Sequence, residues 1–117
     1  MLDDQSKDLS PSQVAVLESL LLAGFRFLTF ERYARYLAVE REGFVALLEP
    51  REGKVKLFGQ VGYHVGEGIG MLLERAEGQA FVWKAQSVPA TPGLLAAYEK
   101  TKADLRRLLQ GEVGEGQ

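Results

Sequence analysis

Residues 54–85 read KVKLFGQVGYHVGEGIGMLLERAEGQAFVWKA, and this stretch decides the fold. Two of its segments alternate with a period of two, as a pleated strand requires, because successive side chains point to opposite faces. In residues 69–75, Ile69, Met71 and Leu73 share one face, and Gly70, Leu72 and Glu74 share the other. In residues 79–86, Phe81, Trp83 and Ala85 oppose Ala80, Val82, Lys84 and Gln86. The linking residues Arg-Ala-Glu-Gly-Gln predict a hairpin, with Gly78 taking the positive φ of a type I turn plus bulge. Leu73, Phe81 and Trp83 are expected to face the core.

The stretch is interrupted by a glycine cluster at Gly59, Gly62, Gly66, Gly68 and Gly70. Glycine inside a strand is unfavourable unless the backbone bends, bulges or passes close to something. The cluster predicts a strongly curved sheet turning a corner, with Tyr63 and His64 near the bend. The alternative, a phosphate-cradling loop, fails on spacing. A dinucleotide fingerprint needs G-x-G-x-x-G between a strand and a helix, and a P-loop ends in Gly-Lys-Ser/Thr. Here Gly70 leads into Met71-Leu72-Leu73 and no lysine follows.

The chain of 117 residues has the length of one domain, with 46% hydrophobic and 26% charged residues. A net charge of −2 gives no general attraction to nucleic acid or anionic membrane. The absence of cysteine excludes disulfides and thiol chemistry, and a single histidine removes most metal sites. No cofactor is expected. The N-terminal MLDDQSKD is acidic, unlike a secretory leader, so a cytoplasmic location is expected. Residues 14–30 contain Glu18 and Arg26, and their uncharged run is far shorter than the roughly 20 apolar residues of a membrane span. The chain has no asparagine, which with abundant Glu and Arg fits a thermophile or a GC-rich genome.

Outward from the sheet, residues 1–9 read as a flexible acidic tail. Ser10-Pro11-Ser12-Gln13 then starts a helix, with Ser10 as cap, Pro11 in the first turn and Gln13 closing a capping box. Gly24 ends it. Its apolar residues cover most of the circumference, the pattern of a helix buried on more than one side. FRFLTF suggests a short strand; ERYARYLAVERE fits helix or strand, and Glu42-Gly43 followed by FVALLE favours a strand at residues 36–41. Residues 44–49 and 54–60 form a second hairpin around Pro50-Arg51-Glu52-Gly53, with proline at the first corner of a type I turn. Lys54 and Lys56 guard that strand against aggregation if it is an edge. Residues 87–89 leave the sheet extended. Thr91-Pro92 opens the last helix by capping, a simpler explanation than phosphorylation for both hydroxyl–proline pairs. Leu94, Tyr98, Thr101, Leu105 and Leu108 stripe one side, and Lys100, Lys102, Arg106 and Arg107 suit the C-terminal end of the dipole. Residues 111–117 read as a second flexible tail.

No catalytic constellation emerges. His64 has Tyr63, Gly66 and Glu67 as neighbours, with no nucleophile pattern; a metal site needs two or more converging His, Asp or Glu ligands, and His64 with Glu67 is the only local candidate. Phe25-Arg26-Phe27 and Arg32-Tyr33-Ala34-Arg35-Tyr36 can stack bases, but a pI of 5.5 favours a protein interface.

The expected fold is α+β: an N-terminal helix, an antiparallel β-meander of about five strands and a C-terminal helix, in one domain over residues 10–110. This layout resembles that of small chaperone-like and adaptor proteins, a likeness that carries no function. Three readings follow. The first is a soluble, non-enzymatic interaction or regulatory module forming a homodimer, with Leu17, Leu21, Leu105 and Leu108 at the interface. The second is a small-molecule binding protein or small enzyme with a cleft at Tyr63, His64, Glu67 and Trp83. The third is a nucleic-acid-binding accessory protein.

Overall fold

The computed structural model describes residues 9–110. Helix α1 (Pro11–Leu22) is followed by strands β1 (Arg26–Leu28), β2 (Leu37–Arg41), β3 (Phe44–Arg51), β4 (Lys54–Val65), β5 (Gly68–Arg75), β6 (Gly78–Trp83) and β7 (Gln86–Pro89), and then by helix α2 (Pro92–Leu109). The strands form one antiparallel meander in sequence order. The α+β layout stands as the sequence predicts it, but with seven strands rather than about five. The expected tails, except Leu9, lie outside the described residues.

Three local readings change. Residues 79–86 are two strands, because the chain reverses at Lys84-Ala85 and residues 86–89 pair with β6 instead of leaving the sheet. Lys84 has φ 54°, a left-handed turn that no glycine announces. Pro50 and Arg51 belong to β3, and the turn is Glu52-Gly53, both at positive φ. Paired positive φ values define the type I′ turn, whose twist matches the flanking strands; Glu42-Gly43 repeats it. Proline is tolerated because β3 outruns β2, whose pairing begins at Leu37 opposite Leu48. The hairpin between β5 and β6 has the two-residue turn Ala76-Glu77 rather than a longer bulged loop.

Both helices pack on one face of the sheet. Leu20, Phe25, Val39, Phe44, Leu48, Val61, Phe81, Tyr98 and Leu105 form that core. Phe44, Tyr63, Phe81 and Tyr98 interlock at its centre, with ring centroids 5.0–6.1 Å apart. On the opposite face the connection from β1 to β2, with a 3-10 turn at Glu31–Tyr33, covers a smaller cluster of Phe30, Ala38, Val45, Leu47 and Ile69.

The face expected for β6 is right: Phe81 is fully buried and Trp83 packs against the main core. On β5 the expectation is inverted. Leu73 is 47% exposed, whereas Leu72 packs on the core. The core face of β5 is Gly68, Gly70 and Leu72, because neighbouring strands fill the space above it. The Trp83 indole occupies the room over Gly68, and a Cβ on Gly70 would lie 2.6 Å from Val65 Cγ2.

The sheet corner falls within β4. Ala46 of β3 stands opposite Gly59, Gln60 and Val61, since the register runs from Val45↔Gly62 directly to Leu47↔Phe58. Gly59 adopts φ 73° at this bulge, which bends the strand. The glycine cluster is thus a bend and a set of close approaches, as its composition predicts.

Polar contacts lock the ends. Ser10 Oγ accepts from the Gln13 backbone N–H, and Gln13 Oε1 accepts from the Ser10 N–H. The same Gln13 donates through Nε2 to the Lys54 carbonyl at 2.9 Å, so the capping box also pins β4. Arg41 joins three elements: it donates to the Ala23 carbonyl at 3.1 Å and to Asp104 Oδ2 at 2.8 Å, and lies 4.5 Å above the Phe25 ring. A cation on the last carbonyls of α1 suits the helix dipole.

Candidate functional site

The four residues proposed for a cleft do not converge. Tyr63 and His64 are successive residues of β4, so pleating sends them to opposite faces. Tyr63 packs between Phe44 and Phe81 in the main core. His64 is exposed on the other face, edge-on to Phe30 with centroids 5.5 Å apart. Glu67 is exposed in the turn between β4 and β5, and Trp83 covers Gly68 beside it. Among the described residues no three of His, Asp and Glu gather as a metal site. The aromatics of the two basic stretches divide: Phe25 is buried, Phe27 is exposed, Tyr36 stacks on Phe58 with centroids 4.2 Å apart, and the Arg35 guanidinium lies 5.3 Å from Tyr36.

The perturbed carboxylates are structural. Burial alone would raise the Glu40 carboxyl, but hydrogen bonds from Arg26 and from the Gly43 N–H hold it below its usual range. Arg41 and Lys100 bond Asp104 and lower its pKa against a smaller opposing effect of burial. Each has cationic partners and no adjoining nucleophile, so each fixes elements rather than chemistry.

The four leucines proposed for an interface divide. Leu105 is buried inside the chain's own core, and Leu17 and Leu108 pack partly against that core. Leu21 is 49% exposed. Sequence reasoning missed its exposed companions Val14, at 39%, and Leu22, at 90%. Val14 and Leu21 stand seven residues apart and so share a helix face, with Glu18 between them. A helix apolar around most of its circumference signals this unsatisfied side; only the direction of burial is missing from the sequence.

A second feature is a half-open groove of about 560 Å³ between β4 and the C-terminal half of α2. Val55, Leu57, Val61, Leu105 and Leu109 supply its apolar walls, and Lys102 and Arg106 stand on the helix side. No helix among the described residues is long and apolar enough to cross a membrane. Comparison with protein-family models, with curated proteins and with solved structures finds no match to this chain.

Proposed function

We propose that the protein is a non-enzymatic interaction module that self-associates as a homodimer through the outward face of α1. The observation that carries this reading is the exposure of Val14, Leu21 and Leu22 on one short helix. Apolar side chains grouped in this way favour burial against a partner, at roughly 25 cal/mol per Å² removed from water. Edge-to-edge pairing through the ends of the sheet is the weaker route. The terminal strands β1 and β7 have three and four residues, short edges of the kind that resist strand addition. A twofold contact between α1 helices needs no such edge, and twofold dimers are the commonest closed assembly.

Sedimentation equilibrium tests the reading. The expected result is a concentration-dependent species of twice 12.9 kDa that Leu21→Glu with Leu22→Glu returns to the monomer. A mass of 12.9 kDa throughout the high-micromolar range would overturn it.

A further inference from the structure

β4 is longer than its partners on one side. It pairs with β3 along most of its length, but with β5 only through Tyr63, His64 and Val65. The segment before them therefore has a strand on one flank and, among the described residues, none on the other. The hairpin register says which backbone groups face the open flank. Arg51 and Lys54 flank a two-residue turn and exchange both ladder bonds, so bonded and non-bonded pairs alternate from there. Val55 opposite Pro50 and Leu57 opposite Leu48 fall at the non-bonded positions. Their N–H and C=O groups point away from β3. Pro50, which has no N–H, fits the same phase. Further along, the Val61 carbonyl takes a hydrogen bond from the Tyr98 hydroxyl at 3.3 Å, so α2 lies along this flank.

The groove described above is the space between that flank and α2. Its lining residues include Lys56, Lys102 and Arg106 and no acidic residue, in a chain whose net charge is −2. An added strand meets unpaired main-chain groups along one side and apolar walls at Leu57 and Leu109, the combination by which extended peptides extend a sheet.

We propose that the open flank of β4 is a strand-addition site for an extended segment of a partner protein in which acidic and apolar side chains alternate. The occupant follows from charge complementarity. An acidic segment answers the exposed Arg106, with Lys102, itself bridged to Glu99 at 3.3 Å, beside it, whereas a second β4 would bring Lys54 and Lys56 of both copies to one short edge, where like charges oppose pairing. The proposal rests on the reading of the chain as an interaction module but uses a different surface from α1.

The test is an amide NMR titration of the full chain with a short capped peptide of alternating glutamate and valine, and with its lysine–valine counterpart. The acidic peptide should shift the Val55 and Leu57 amides and slow their hydrogen exchange; the basic one should not. Leu57→Pro removes an outward N–H while sparing the ladder to β3, and should abolish the response. Arg106→Glu, on an exposed side chain, should keep the fold and weaken binding by about tenfold or more, the factor that corresponds to 1.4 kcal/mol. Equal responses to both peptides, or none to either, would overturn the proposal. So would Val55 and Leu57 amides already protected in the free chain and exposed by ending it at Gln110, since the flank would then belong to the chain's own next segment. Sedimentation reports the α1 contact independently, so the two readings fail separately.

Discussion

Helices α1 and α2 begin alike and end differently. Both open on a hydroxyl cap followed by proline, with Ser10 accepting from Gln13 N–H and Thr91 from Leu94 N–H. In α2 the apolar stripe and the charged face are separated: Tyr98, Thr101 and Leu105 are buried, while Lys100 and Arg107 reach Asp104 from the surface. In α1 apolar residues cover most of the circumference, broken by Ser12, Gln13, Glu18 and Ser19, yet its buried residues are only Gln13 and Leu20. The contrast teaches that apolar content does not measure burial. The side of α2 that the sheet covers is written in its spacing, whereas α1 carries more apolar surface than the sheet takes.

The largest effects should come from the shared core. Phe81→Ala removes a fully buried ring from the aromatic cluster and should cost about 3–5 kcal/mol in chemical denaturation, with Leu105→Ala costing roughly 2–5 kcal/mol. Losses near zero at both sites would mean that α2 is not seated on the sheet as described.

The tie between the helices should matter next. Asp104→Asn deprives Arg41 of its carboxylate partner, and loss of a hydrogen bond to a charged group costs roughly 1.5–3 kcal/mol. Both Asp104 and Glu40 have lowered native pKa values, so their stabilisation is full above the unfolded carboxyl range, about pH 4. It is lost as pH falls through the lower native values. Urea midpoints measured across acidic pH should therefore decline for the wild type and decline less for Asp104→Asn. An identical pH dependence in the variant would remove Asp104 from the account.

The smallest effect should be at the surface of α1. At concentrations where the chain is monomeric, Leu22→Ala should change stability by no more than about 0.5 kcal/mol, because the side chain is 90% exposed. A loss comparable to that of Leu105→Ala would place Leu22 in the core.

The same contrast governs what the sequence reveals. Caps, alternation and Glu42-Gly43 are local signals, and the helices, β1, β2 and most of β3 follow from them, whereas Pro50 draws the second turn two residues too early. Two features are not local. The turn at Lys84-Ala85 puts a lysine at positive φ, so no glycine or asparagine marks the break between β6 and β7. On β5, three large apolar residues face away from the helices because Trp83 and Val65 fill the space above Gly68 and Gly70. Alternation reveals two faces and does not say which one neighbouring strands have already filled. The candidate sites divide in the same way. Exposed Leu21 is legible from a helix that is apolar around most of its circumference, and Lys54 and Lys56 mark an edge. The open flank of β4 appears only once β5 is seen to leave it beyond the Tyr63↔Gly70 pair.

The central claim is that the outward face of α1 is covered by a second copy of the chain. Isotope-filtered NMR on a mixture of labelled and unlabelled protein tests it most directly. The account predicts contacts between copies from the methyl groups of Val14, Leu21 and Leu22 and none from Leu20 or Leu105, which are buried within each chain. A dimer whose intermolecular contacts avoid α1, or the absence of any intermolecular contact at high-micromolar concentration, would contradict it.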